Sequence, residues 1–326
     1  WVPQACSRYT DGLAAGILRR MRSPGEVPMP RNLLLAISVI LVGIIAFDLM
    51  GILVRMLGAS YPVMQMAALR NLFGVIPSLL LLWHARQLAA LPRLNRPRFH
   101  LINLVRATSV VMAQFCFYTA LTKIEFATAA ALGFSGPIFI TALSVPLLGH
   151  HIGTWRWGAV FVGFLGVVTI LSPFNDGFSG YMVLPVMAAF CYAVSSILVR
   201  FYPPEMPSAA IQFGHQIATC LLASLALFLF VDPEPISSLA DAGLFVIMGT
   251  LGGIGVLSLA ISYRLADPSS ISPFEYFGIP ISFALGWIFF AEAPFGDLFP
   301  GIVFIVGAGI IIMMRERRRT KSGNQV

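Results

Sequence analysis

Long apolar runs, separated by short clusters of charge, proline and glycine, divide the chain almost from end to end. A helix that crosses a bilayer needs about 20 mostly apolar residues. Ten runs of that kind stand out, at 33–55, 63–84, 101–122, 126–148, 157–173, 180–200, 208–231, 242–263, 269–291 and 296–314. Short connections join them. The pattern predicts an all-α integral membrane protein of ten transmembrane helices. Residues 1–31 break it: they are polar, carry Arg19, Arg20 and Arg22, and lack the apolar core and small-residue cleavage site of a signal peptide. They are expected to form a disordered cytoplasmic tail, and because the chain begins at Trp1, Met21 and Met29 are expected as initiators.

Composition agrees with the bilayer reading. The 326 residues are 58% apolar and only 11% charged, where soluble proteins run near 25% charged, and the mean hydropathy is +0.85. That is too little charge to coat a water-soluble surface. Disorder, a disulfide-stapled secreted module and nucleic-acid binding are excluded together, since each needs polar or cysteine-rich surface. Cys6, Cys116, Cys191 and Cys220 have no metal-ligand or C-x-x-C spacing. No metal or cofactor follows from them.

Lys and Arg then set the orientation. With the N-terminus cytoplasmic, the inward segments hold Arg31, Arg86, Arg93, Arg96, Arg98, Arg156, Arg200, Arg264 and the Arg315–Lys321 cluster, while the outward loops hold only Arg55 and Lys123. The outward loops carry acids instead: Glu125, Asp176, Asp232, Glu234, Asp241, Glu292 and Asp297. Both termini are therefore expected in the cytoplasm.

The chain also repeats itself. ALTKIEFATAAALGFSGPIFI (120–140) lies over SYRLADPSSISPFEYFGIPIS (262–282), each entering a span interrupted at its middle, with Gly136 falling on Gly278 and Pro137 one residue short of Pro280. A repeat of five spans must thread the membrane in opposite senses in its two copies, an arrangement characteristic of transporters. The expected organisation is a tail (1–31), a first repeat (32–173), a second repeat (179–314) and a basic cytoplasmic tail (315–326). Gly/Pro-interrupted spans at matched positions point to the site, because unwound backbone is tolerated in a membrane only where it lines a cavity. Gly136, Pro137, Gly278 and Pro280 are the expected hinges.

The segments FDLMGILVRMLGASYPVMQMAALRNLFG (47–74), CFYTALTKIEFATAAALGFSGPIFITALSVPLLGHHI (116–152), SPFEYFGIPISFALGWIFFAE (272–292) and GIVFIVGAGIIIM (301–313) resemble the EamA-like family of the drug/metabolite transporter superfamily. The likeness covers residues 32 to 314. His150 stands where that family usually has Glu, and Asp48 lies about two positions before a common family acid. The resemblance implies two inverted EamA repeats in a bacterial inner membrane and movement of small amphipathic metabolites: amino acids, amines, vitamins or cofactor-like molecules. As a family expectation, amino-acid export ranks above vitamin import.

Ionisable groups inside the spans are functional by default, since an unpaired one costs about 2.5 to 3.5 kcal/mol on insertion scales. Asp48, Arg70, Arg106, His215 and Glu275 are the main ones. At about 1.5 Å per residue, Asp48 shares its depth with Arg70, and Arg106 with Glu275, so two ion pairs are expected as outer and inner latches. Glu275, between two prolines on span 9, suits a cationic substrate group or a proton; a structural pair with Arg106 is its alternative. Arg70 suits a carboxylate or phosphate, against a snorkelling role. His215 holds in span 7 the place of Arg70 in span 2, as a pH-sensitive gate or a plain interhelical bonder. Gln114, Tyr118, Ser135, Tyr192, Ser195, Ser196 and Tyr276 complete a candidate lining between spans 3, 4, 6, 8 and 9, with Tyr276 favoured among them.

A second class of function is an intramembrane serine hydrolase using Ser135 of GFSG and His215, but the same tetrapeptide recurs at 177–180 and carries little information. A non-transporting structural protein would leave the intramembrane charges without a use. No phosphate-binding loop of the G-x-x-x-x-G-K-[ST] type is present, so uphill transport would draw on an ion gradient or an exchanged solute. The expected partners are a small-molecule substrate, the lipid bilayer and protons, with no nucleic acid, in a monomer or homodimer; the expected activity is non-enzymatic.

Overall fold

The computed structural model describes residues 30–84, 86–88, 91, 97–148, 154–171, 179–202, 206–265, 272–292, 295–308 and 310–311. All regular structure among them is helical. In chain order the helices are α1 (Pro30–Leu57), α2 (Val63–His84), α3 (Pro97–Lys123), α4 (Phe126–Gly133), α5 (Gly136–Leu148), α6 (Thr154–Leu171), α7 (Val183–Leu198), α8 (Ser208–Phe230), α9 (Leu239–Leu265) and α10 (Gly278–Phe290), with α11 over 301–308. Six of the described helices are long and apolar enough to cross a membrane. The expected spans 4 and 9 are both present in broken form. Span 4 is α4 and α5 with a turn at Phe134–Ser135, and span 9 is a 3-10 segment, Ser272–Phe277, running into α10. The expected tails at 1–31 and 315–326 lie almost wholly outside the described residues.

Lipid-facing and core surfaces are both apolar, so they are told apart by residue size. On α8, Leu221, Leu225 and Phe228 recur at helical spacing and are 66%, 53% and 74% exposed, and on α6 a wholly apolar groove runs past Trp157, Phe161, Phe164 and Val168. These bulky stripes face acyl chains. The interior uses small residues, as membrane helices do where backbones approach closely. All of α4 from Phe126 to Leu132 is buried, and α9 lies between α1 and α2. A Cβ at Gly252 of α9 would stand 2.5 Å from Nε of Arg70. The remaining strong pairings set α3 on α7, α2 on α8 and α5 on α7.

Among the described glycines, a close backbone approach joins α6 to α11. A Cβ placed on Gly301 would stand 2.6 Å from the carbonyl oxygen of Gly166, and one on Gly166 2.6 Å from that of Gly301. Backbone cannot yield as a flexible side chain can. Gly301→Val is expected to destabilise the protein on the order of 2 kcal/mol by overpacking, read as a lower melting temperature in detergent. Gly158→Ala, whose added Cβ would meet none of the described atoms within 4 Å, is expected to leave it unchanged.

Candidate functional site

The centre of the bundle holds a polar network that no single span could satisfy alone. Asn71 of α2 is fully buried, and its side-chain oxygen accepts from Arg70 Nη1 at 2.9 Å, Gln114 Nε2 of α3 at 3.2 Å and Gln216 Nε2 of α8 at 2.9 Å. In return Asn71 Nδ2 donates to Gln114 Oε1 at 2.7 Å, and Gln216 Nε2 also reaches the Asn71 carbonyl at 3.2 Å. Three helices are thereby joined by amides, which both donate and accept. Such a set can exchange its internal bonds for bonds to a ligand.

Around it stand two guanidiniums and an imidazole that no carboxylate pairs with among the described residues. Arg70 and Arg106 are 5% and 4% exposed, and His215 is 5% exposed. Arg106 Nε donates to the Ser195 carbonyl at 3.1 Å, and its guanidinium lies 5.8 Å from the Tyr202 ring centre. Arg70 Nε, Arg106 Nη1 and His215 Nδ1 are buried with no hydrogen-bond partner. Both guanidiniums lie within electrostatic range of His215. Tyr118 is buried on α3 with its hydroxyl 4.0 Å from the Met50 sulfur. Tyr192 on α7 lies within electrostatic range of Tyr118 and Arg70. It is nevertheless 37% exposed, on the side of α7 opposite Met187 and Phe190, which are 47% and 43% exposed. Ser196, one turn on from Tyr192, is exposed on that same inner side. Accessible space therefore enters the bundle behind α7.

The two broken spans meet at their breaks. A Cβ on Gly278, the first residue of α10, would stand 2.5 Å from Cζ of Phe134, in the turn between α4 and α5. Only glycine admits that ring. A Cβ on Gly136, at the equivalent point of the first break, would meet none of the described atoms within 4 Å, and Ser135 beside it is buried with its hydroxyl unpaired. Asp48 of α1 reaches α10: its Oδ1 lies 2.9 Å from the Ser282 hydroxyl. Glu275 is half-buried on the 3-10 segment, with Oε1 buried and unpaired. Pro280 is exposed on α10; the side chains of Pro137 and Tyr276 lie outside the described residues.

One end of the bundle is closed by polar clamps. Arg55, at the end of α1, makes a two-pronged ion pair with Glu292, with Nη1 to Oε2 at 2.8 Å, and the same Oε2 accepts from the Phe126 amide at 2.9 Å. Ala291 makes this possible. It adopts the left-handed conformation, φ 55°, turning the chain after α10 so that Glu292 points back at α1 and the start of α4. Nearby, Gln65 and the Glu234 backbone exchange bonds of 2.7 and 2.8 Å, and Tyr61 donates to Asp241 at 2.8 Å.

With that geometry in place, similarity to known proteins becomes informative. The model of the EamA-like transporter family matches residues 34–172. A riboflavin transporter of Rhizobium johnstonii is 31% identical over 231 residues, 70% of this chain and 74% of that protein. This chain belongs to the EamA-like transporter family. A riboflavin transporter of Vibrio cholerae is 27% identical, across 68% of this chain and 74% of its own length. An S-adenosylmethionine uptake transporter of Rickettsia prowazekii is 25% identical, across 71% and 76%. One crystal structure of a protein matches with a TM-score of 0.60 at 21% identity, covering 86% of this chain and 98% of that one, which shows a shared fold. The EamA protein is thus a multi-pass membrane transporter of the drug/metabolite transporter superfamily and not an enzyme. Accordingly, no hydrogen bond joins Ser135 to His215 among the described residues.

Two expectations need correction. Neither Asp48–Arg70 nor Arg106–Glu275 forms: Asp48 meets Ser282, Arg70 meets Asn71, Arg106 meets a backbone carbonyl, and Glu275 keeps an unpaired oxygen. Counting residues gives depth but not the direction a side chain takes around its helix. The ion pair that does form, Arg55–Glu292, joins two residues expected in outward loops. The amide network is centred on spans 2, 3 and 7, whereas the expected lining lies between spans 3, 4, 6, 8 and 9. Asn71 and Gln216 went unnoticed, although they immediately follow the matched pair Arg70 and His215. Removing Arg55 and Glu292 singly and together, as alanines, is expected to show a coupling of about 1 to 2 kcal/mol in thermal unfolding. A coupling near zero would mean the clamp is ornamental.

Proposed function

We propose that this EamA protein carries a neutral, hydrogen-bonding heterocycle of the riboflavin kind across a bacterial inner membrane, by alternating access of two inverted five-helix repeats. The observation that carries the substrate class is the chemistry of the centre. Its amide network offers paired donors and acceptors to an imide edge, while Arg70 and Arg106 have no carboxylate on them among the described residues. Two uncompensated guanidiniums repel the sulfonium of S-adenosylmethionine and a simple amine alike. They do not repel a flavin. Tyr118 and Tyr192 add aromatic surface beside the amides. This displaces amino-acid export as the favoured activity.

The packing order supports the ten-span inverted arrangement. Exchanging the two halves turns α1 on α9 into α7 on α3, and turns α10 on α1 into α4 and α5 on α7, while α2 on α8 and α4 on α10 each map onto themselves. Each of these pairs packs. The breaks at Gly136 and Gly278 give each half a hinge. Under the charge rule the clamped end is the outer one, so the cleft behind α7 opens toward the cytoplasm, where both termini lie. Glu275, with its unpaired oxygen on the broken span, is the group through which a proton would enter the cycle.

Thermal shift and uptake into proteoliposomes test this. Riboflavin is expected to raise the melting temperature and to accumulate, with S-adenosylmethionine doing neither. Gln114→Ala is expected to weaken riboflavin binding about tenfold, the worth of one or two hydrogen bonds. Stabilisation by S-adenosylmethionine and not by riboflavin would falsify the substrate class. Glu275→Gln is expected to abolish or uncouple uptake while leaving insertion intact; unchanged uptake would remove that carboxylate from the cycle.

A further inference from the structure

The contact between α1 and α10 contains one proton too few. Ser282 Oγ lies 2.6 Å from the Gly278 carbonyl oxygen, four residues back on its own helix, and 2.9 Å from Asp48 Oδ1. A serine hydroxyl has a single hydrogen to give. A carbonyl oxygen can only accept, so the shorter contact is served only if that hydrogen points at Gly278. The Asp48 contact is then a hydrogen bond only if its hydrogen comes from Asp48. Burial points the same way: Asp48 Oδ2 is buried with no partner. An orphaned oxygen of a neutral acid is a modest cost in a membrane interior, whereas an orphaned carboxylate oxygen is a severe one.

We propose that Asp48 holds a proton in this conformation and is the group whose protonation sets the hinge of span 9. Protonated Asp48 donates to Ser282 Oγ, and Ser282 donates to the Gly278 carbonyl, at the residue where the 3-10 segment becomes α10. Loss of the proton reverses the direction of the bond. Ser282 must turn its hydrogen onto the carboxylate, and Gly278 loses its side-chain donor. A serine bonded to the carbonyl four residues back bends a membrane helix, so the bend at Gly278 follows the charge on Asp48. Gly278 is also where the Phe134 ring of the other broken span is seated, so both hinges feel the change.

The elements packed on α1 bring few titratable groups to Asp48. Between Asp241 and Tyr263, α9 carries none, and neither α4 nor α10 carries any. On α3, Tyr118 turns its hydroxyl to Met50, and on α2, Arg70 turns to Asn71. The 3-10 segment packed on α1 brings Glu275, a second acid with an unpaired oxygen. Among the described residues, no cation forms an ion pair with Asp48.

This inference deepens the carrier reading and rests on it for what the proton is used for, but the proton itself is measured without substrate. Infrared spectra of the purified full chain in lipid nanodiscs at neutral pH are expected to contain a protonated-carboxyl band that Asp48→Asn removes and Glu275→Gln keeps. Ser282→Ala is expected to shift that band, because the acid loses its acceptor. In proteoliposomes, a pH gradient is expected to stimulate riboflavin uptake by the wild type and to have no effect on Asp48→Asn. A spectrum in which Asp48→Asn removes nothing, or a band that Ser282→Ala leaves in place, overturns the proposal whatever the substrate proves to be. The infrared result expected here, together with failure to move riboflavin, would instead count against the substrate class alone.

Discussion

A polar group surrounded by hydrocarbon has no water to fall back on, and that constraint organises this molecule more than any apolar contact does. Apolar side chains fill the lipid-facing surface and the core equally well, so burying them distinguishes few arrangements. Polar groups are different. Asn71, Gln114 and Gln216 come from three helices and satisfy one another only when those helices stand in one relative position and rotation. The same holds at the Arg55–Glu292 clamp, where one carboxylate serves the end of α1 and the first amide of α4 at once.

Among the described residues, that constraint is left unmet at a small set of places. Buried unpaired atoms gather on Asp48, Arg70, Arg106, Ser135, His215 and Glu275, with Asn103 and Thr119 beside them. Most belong to the centre or to the two broken spans. A fold that kept these groups only for packing would do better to replace them with leucine. A carrier needs them, because a ligand or a proton can bind firmly only where bonds are missing in its absence. In the proposed carrier cycle, the paired clamps at one end would hold a face shut and the unpaired atoms in the middle would keep a site poor in bonds.

Much of this was legible in the chain. The spans 63–84 and 208–231 fall within a residue of α2 and α8, because the bilayer imposes their length and the pattern of apolar runs records it. The interruptions at Gly136 and Gly278 were visible as matched Gly and Pro positions, and each opens a new helical segment in the structure. The ionisable groups Asp48, Arg70, Arg106, His215 and Glu275 were legible within the apolar runs. Their partners were not, because Asp48 and Ser282 are 234 residues apart in sequence and share no local pattern. Asn71 and Gln216 were missed for a related reason: an uncharged amide in an apolar span costs little enough to look like ordinary helix packing.

Composition and the spacing of apolar runs determined that this chain lives in a membrane, roughly where it crosses, and which family it resembles, since solvent dictates those features residue by residue. Only the tertiary structure decided which polar groups meet. Hydrogen bonds between helices depend on the rotation of each helix about its own axis, and a mostly apolar helix states no preferred rotation in its sequence. That is why Arg55 found Glu292, Asn71 found Gln216 and Asp48 found Ser282 only once all the helices were packed together.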